Sequence, residues 1–426
     1  VSSALVALVA VATLAGDLEV DLGLRMLVSG GLVPLDAQSD PITQVALEVS
    51  PRGGLLWDDG ATSVTLLYSP RITQRFVLAL DAAGEALPID APISFHPVDL
   101  GVEWRSGRRY SLRLGASAAY GVVSFADAIT AGANNGAVAN QEVANFGGRA
   151  ALAVMTVPRG DMLRLSLDVA NNTTLGDRAA GASIQDRTRF SGGVSYVFAP
   201  TPRDGLELAA NGETSLYPDT DASTPNDQAS VLGANVGWER QLTRRASCGV
   251  RLGAVMLFNA GVGSVVPSAS TNCSILTYQS PGYTLTTRLN AGLLGGTSSL
   301  GAVAEPRGTG ALDLRLLIEP DKSLGLAVAF EAPIPTDDTV GGAAQTTVGL
   351  ASPAILAFSV PFTWQLAPGM DLELGGRFAL RGILDVAGVV NANATPVRAF
   401  GDTFDLQLFA GMAFDFASSG ESRYQR

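Results

Sequence analysis

The chain holds one histidine, His96 in "ISFHPVDL", and a few close carboxylates, such as Asp371 with Glu373 and Glu207 with Glu213. Histidine is the usual general base of hydrolysis, and paired carboxylates can divide acid and base work between them. His96, however, lies before a proline at the end of an extended run, and no nucleophile elbow, zinc motif or nucleotide loop accompanies it. It reads as a rim residue. The acid pairs stand among arginines on polar positions, which suits a hydrated wall better than catalysis. The stretch "PDTDASTPND" offers Asp219, Asp221 and Asp227 as calcium ligands, but it lacks a defined ligand spacing and reads as a solvated acidic loop. No enzyme, cofactor or metal is expected. What remains is charge recognition. Lys322 is the single lysine among 28 basic residues. Arginine stays charged and grips carboxylates through a planar fork, so its chemistry here is the guidance of polar or anionic solutes.

The elements that position these arginines alternate. In "YSLRLGASAAY", Tyr110, Leu112, Leu114, Ala116, Ala118 and Tyr120 interleave with Ser111, Arg113, Gly115 and Ser117. Strand side chains point alternately to opposite faces, so such a strip separates an apolar medium from a polar one. The pattern recurs from 17–29 to 402–416 and predicts about eighteen strands, including 61–76, 145–157 and 161–171. The segment 268–279, "TNCSILTYQ", alternates poorly. Connections alternate as well. "WDDG", "SGRR", "TPRDG", "QSPG" and "LAPG" are tight turns. The stretches 125–143, 173–187, 218–227, 335–352 and 384–400 are long and rich in small polar residues.

Two observations distinguish lipid from a protein core. Charged residues make up only 16% of the chain and mean hydropathy is positive, yet no run of about 20 apolar residues offers a transmembrane helix. Trp57, Trp104, Tyr110, Trp238, Tyr278 and Trp364 fall at short-turn ends, whereas Tyr120 falls at a long-loop end. Aromatic rings collect at membrane interfaces, so two such rims place lipid between them. A set of soluble sandwiches would carry Lys- and Glu-rich outer faces instead. The net charge of −12 argues against nucleic acid as a partner.

The chain resembles the Gram-negative outer-membrane β-barrels in strand alternation, short and long connections, and the aromatic-rich "LFAGMAFDF" near its end. The resemblance implies an all-β fold: a single antiparallel transmembrane barrel over 17–416 with short periplasmic turns and long extracellular loops. Residues 1–16 resemble a secretory signal, and 417–426 form a short tail. Cys248 and Cys273 form no metal motif, and a disulfide between them is disfavoured if they face opposite sides of neighbouring strands.

A barrel of this size holds an aqueous bore if loops do not fill it. Arg71, Arg75, Arg113, Arg149, Arg164, Arg189, Arg251 and Arg377 are expected to line it with Glu207, Glu213, Glu239, Asp371 and Glu373. Staves three to eight carry mainly arginine, and staves nine, ten and the closing wall mainly acid. Arg71, Arg113 and Arg164 are the expected solute contacts. Three functions fit: a diffusion porin for hydrophilic solutes, a polysaccharide-export barrel similar to the alginate exporter and working with a periplasmic export partner, or a structural anchor or adhesin. Outer-membrane lipid is a partner in each.

Overall fold

The computed structural model describes residues 17–33, 42–77, 92–107, 109–123, 141–156, 161–175, 186–217, 228–259, 262–297, 304–334, 354–381 and 403–416. The signal-like segment 1–16, the tail 417–426 and most of each expected long loop lie outside the described residues. In chain order the strands are β1 (Asp17–Val33), β2 (Ile42–Asp58), β3 (Thr62–Tyr68), β4 (Arg71–Val77), β5 (Ile93–Ser106), β6 (Tyr110–Val123) and β7 (Gln141–Met155). Then follow β8 (Met162–Leu175), β9 (Arg187–Thr201), β10 (Asp204–Leu216), β11 (Gln228–Thr243), β12 (Ala246–Asn259) and β13 (Val262–Ser280). The last are β14 (Tyr283–Thr297), β15 (Ala304–Ile318), β16 (Lys322–Pro333), β17 (Ile355–Ala367), β18 (Met370–Arg381) and β19 (Thr403–Asp415).

Apart from β3 and β4, which do not pair with each other, each strand pairs antiparallel with its neighbours in sequence, and β1 pairs with β19 from Gly23 opposite Asp415 to Leu32 opposite Leu406. The sheet therefore closes on itself. The strand expected over 61–76 is split, because Pro70 cannot donate to the ladder. Its halves β3 and β4 both lie between β2 and β5 in one unbroken register, so they form a single stave and the barrel has 18.

Alternation assigns the two faces. One carries exposed apolar residues around the sheet, among them Leu22, Leu100, Leu114, Leu167, Leu208, Leu252 and Leu408. The other carries ion pairs that skip a stave: Arg25 of β1 reaches Glu373 of β18 at 2.7 Å, and Arg52 of β2 reaches Asp415 of β19 at 3.3 Å. Second neighbours come within side-chain reach on the concave side of a curved sheet, so the charged face is the inner one. The outer face is apolar because it is solvated by lipid. A closed barrel is one of two ways a chain crosses a bilayer with every backbone group paired.

The turns opposite the long loops are tight. Gly282 in "SPG" and Gly369 in "APG" adopt φ of 87° and 74°, the left-handed region that a side chain disfavours. In "WDDG" the Asp59 carboxylate accepts from the Ala61 and Thr62 amides, closing the turn locally.

Two sequence expectations need correction. Cys248 and Cys273 stand directly opposite each other in the β12–β13 register and form a disulfide, with Cα atoms 4.1 Å apart. They share the outer face because β13 is longer than its weak alternation suggested. Its inner positions are the small Ser264, Ser268, Ser270 and Ser274, and a register shift between Leu276 and Tyr278 returns Tyr278 outward.

The second concerns how open the bore is. The bore was expected to be aqueous if loops do not fill it, and the β14–β15 hairpin bends into it. Gly295, Thr297 and Ala304 share the parity of the outward Leu289. At this end, however, they meet inward residues: a Cβ on Gly295 would lie 2.5 Å from Val255, and Thr297 Oγ1 lies 2.9 Å from Ser215 Oγ. The hairpin therefore leaves the wall and lies over the inner surface of β10–β12. A buried cluster of Tyr217, Ala229, Val231, Val255, Leu257 and Ala304 fixes it there, with Val266 packed alongside.

Candidate functional site

The inner face is built from alternate residues of every stave, so parity decides which charges meet. Glu103 of β5 stands opposite Arg113 of β6 and accepts from it at 3.2 Å. The same carboxylate accepts from Arg105 at 2.8 Å, so one acid serves two arginines. Arg149 of β7 faces Asp168 of β8, but Asp168 pairs at 3.5 Å with Arg189 of β9. Arg149 lies instead over Gly115, where a Cβ would come within 2.6 Å of its Nε. Arg164 of β8 directs its Nε at the Met162 sulfur, a weak acceptor, at 3.3 Å. Among the described residues neither Arg149 nor Arg164 forms an ion pair.

The other expected wall is different in kind. Glu373 binds Arg25, Arg52 bridges Asp21 and Asp415, and Arg377 holds Asp405 at 3.4 Å and Gln407 at 2.9 Å. These pairs stitch β2, β1, β19 and β18 across the closure. Glu207 accepts from Arg251 Nε at 3.0 Å. Glu213 accepts from Thr297 and helps hold the folded hairpin. Arg307, on the same hairpin, is buried between Glu305 and Glu331 at 3.0 Å each. Glu239 faces Gly205 and Gly249 near the tight-turn end, and Asp371 faces Gln365 and Ala413. Neither is brought to the arginines of β6–β8. Arg71 and Arg75 lie on β4 opposite Phe95 and Ala46, respectively.

Arg52, Arg187 and Arg307 also stand on inner positions and were missed in the sequence. Parity counted back from Trp57 would have found Arg52, through Leu55, Gly53 and Pro51. Arg187 is two residues from Arg189. Arg307 precedes the segment where alternation becomes visible. Arg187 and Glu213 flank Tyr217 just beyond β10, where burial pushes the phenol upward.

The aromatic residues expected at the two rims lie on the outer face. Trp104, Tyr110, Tyr120, Trp238, Tyr278 and Trp364 are all exposed there, and Trp57 faces Val64 and Leu18. Trp238 donates to Asp204 at 3.1 Å and Trp364 to Asp321 at 3.2 Å. The cations Arg240 and Lys322 sit 5.9 and 5.3 Å from the two ring centres. Each ring is anchored to a polar turn with its body turned to lipid. Tyr120 donates to Glu142 at the opposite end, and His96 Nδ1 lies 2.9 Å from Tyr68 Oη.

No family model matches the chain, and no curated protein is similar to it in sequence. Among solved structures it is similar to the Pseudomonas aeruginosa outer membrane protein OpdK, in a complex with vanillate. That match has 12% identity, covers 94% of this chain and 99% of that one, and has a TM-score of 0.45. OccK7 (OpdD) of the same organism shows 11% identity, 95% and 100% coverage, and a TM-score of 0.47. The FrpB iron transporter of Neisseria meningitidis shows 6% identity, 93% and 81% coverage, and a TM-score of 0.48.

Proposed function

We propose that this chain is an outer-membrane channel that passes small hydrophilic solutes and favours anions along its β5–β9 wall. The observation that carries the reading is an imbalance on that wall. Arg105, Arg113, Arg149, Arg164 and Arg189 face only Asp99, Glu103 and Asp168 on the inner positions. On the closing wall Asp21, Glu373, Asp405 and Asp415 are engaged in pairs that hold the barrel closed. A strip of uncompensated arginine beside a low-dielectric wall concentrates anions and orients polar solutes. The hairpin folded over β10–β12 occupies space that a threading polymer needs, which favours diffusion of small solutes over polysaccharide export with a periplasmic conduit. A structural anchor or adhesin would need no uncompensated charge inside.

The test is the triple substitution Arg113→Gln, Arg149→Gln and Arg164→Gln, recorded in planar bilayers at low salt where screening is weak. Anion preference should fall while heat-modifiable gel mobility shows a folded barrel. Unchanged ion selectivity in a folded triple variant would leave these arginines a structural role only.

A further inference from the structure

Three prolines fall on adjacent staves at one height of the wall. Pro51 of β2 lies opposite Pro70 between β3 and β4, since their flanking partners Gly53–Tyr68 and Val49–Ile72 share one register. Ser69 lies opposite Pro97 of β5 and donates its amide to the Pro97 carbonyl at 3.4 Å. In an antiparallel ladder the residues of a bonded rung exchange two hydrogen bonds. The Asp59 amide bonding to the Thr62 carbonyl fixes which β2–β3 rungs are bonded, and by the same parity the 51–70 rung is one of them. Neither proline has an N–H, so that rung loses both bonds. The 69–97 rung loses one of its two for the same reason. Between the 53–68 and 49–72 rungs, about 13 Å apart, no backbone bond joins the two staves.

The gap lies near the long-loop rim, because His96 stands opposite both Pro70 and Tyr120, and it leaves two carbonyls without their ladder partners. The surroundings are unusual as well. Outside, His96 occupies the position opposite Pro70 and is bonded to Tyr68, a polar pair on an otherwise apolar face. A Cβ on Gly53, next along the outer face from Pro51, would meet nothing within 4 Å, so the outer side of the wall is open there. Inside, Arg52 stands opposite Ser69 and Arg71 opposite Ser50, placing two cations directly behind the gap. Pro70 itself is buried, so packing keeps the seam shut in this structure.

We infer that this seam is a lateral port between the bore and the bilayer for a solute with a long apolar chain and an anionic head. The chain slips past the rung that lacks backbone bonds, and the head is received by Arg71 and by Arg52, which also bridges Asp21 and Asp415. This activity is separate from passage of hydrophilic solutes along the bore.

The experiment measures uptake of radiolabelled oleate by cells that lack their own long-chain fatty-acid channel and express the full chain, with a small labelled sugar as control. Pro51→Ala with Pro70→Ala restores both donors of the missing rung. The pair should cut oleate uptake at least tenfold and leave sugar uptake unchanged, and the new amides should exchange slowly with deuterium. Because that variant could assemble poorly, Val49→Cys with Ile72→Cys offers a reversible staple beside the gap. Oleate uptake should be lost on oxidation and return on reduction, with the wild-type barrel and its Cys248–Cys273 bridge as the reductant control. Oleate uptake at background in the wild type, or equal in wild type and both closed forms, overturns the port.

Discussion

Arg149 and Arg164 show how little separates a structural charge from a functional one. Both face inward, and Arg149 stands opposite Asp168, yet that carboxylate is taken by Arg189. Exposed pairs of this kind contribute roughly 0–1 kcal/mol, so removing one arginine should barely change folding while shifting the local potential. The outer face behaves oppositely. Leu112 points to lipid and Ser111 to the bore, and an arginine at the bilayer midplane costs about 2–4 kcal/mol. Leu112→Arg should therefore reduce the heat-modifiable, folded fraction strongly and Ser111→Arg scarcely. Equal tolerance of the two would mean that the faces are assigned the wrong way round.

Among the elements, the β14–β15 hairpin departs furthest from simple alternation. Its turning-in was not legible in the sequence, because Gly295, Thr297 and Ala304 keep the outward parity of the strand below them. Only their contacts with Val255, Leu257 and Ser215, far away in the chain, show the bend. The long β13 was obscured for a different reason: serine on its inner face gives little contrast with the small Gly263, Ala269 and Thr271 on its outer one. Most staves were legible because a bilayer demands apolar residues on one face of every strand, a constraint local enough to be read two residues at a time. Cross-stave pairing is not local, and Arg25 with Glu373 could not have been deduced from either neighbourhood alone.

The hairpin's seat depends on buried apolar contact. Leu257→Ala removes a fully buried side chain at a typical cost of about 2–5 kcal/mol. If the hairpin is released from the inner wall, single-channel conductance should rise and become noisy, while the folded barrel persists. A variant with the wild-type conductance and current noise would show that the hairpin does not limit the passage. The same end of the barrel should face the cell exterior. An epitope at Asn134, in an expected long loop outside the described residues, should be labelled on intact cells. One at Asp321, in the tight β15–β16 turn, should need permeabilisation, and the reverse pattern would invert the barrel.

For the whole molecule, a net charge of −12 coexists with an arginine-rich strip inside, so surface charge and bore charge are separate properties. On the proposed reading, Asp21, Glu373, Asp405 and Asp415 close the cylinder, Glu213 seats the hairpin, and Arg149 and Arg164 act on the solute. That division is the central claim. The most direct measurement is the reversal potential of the purified wild-type barrel in a planar bilayer under a tenfold potassium chloride gradient at low total salt. A steady conductance whose reversal potential lies toward the chloride equilibrium value is the predicted result. A potential toward the potassium value, or no conductance from a demonstrably folded barrel, would contradict it.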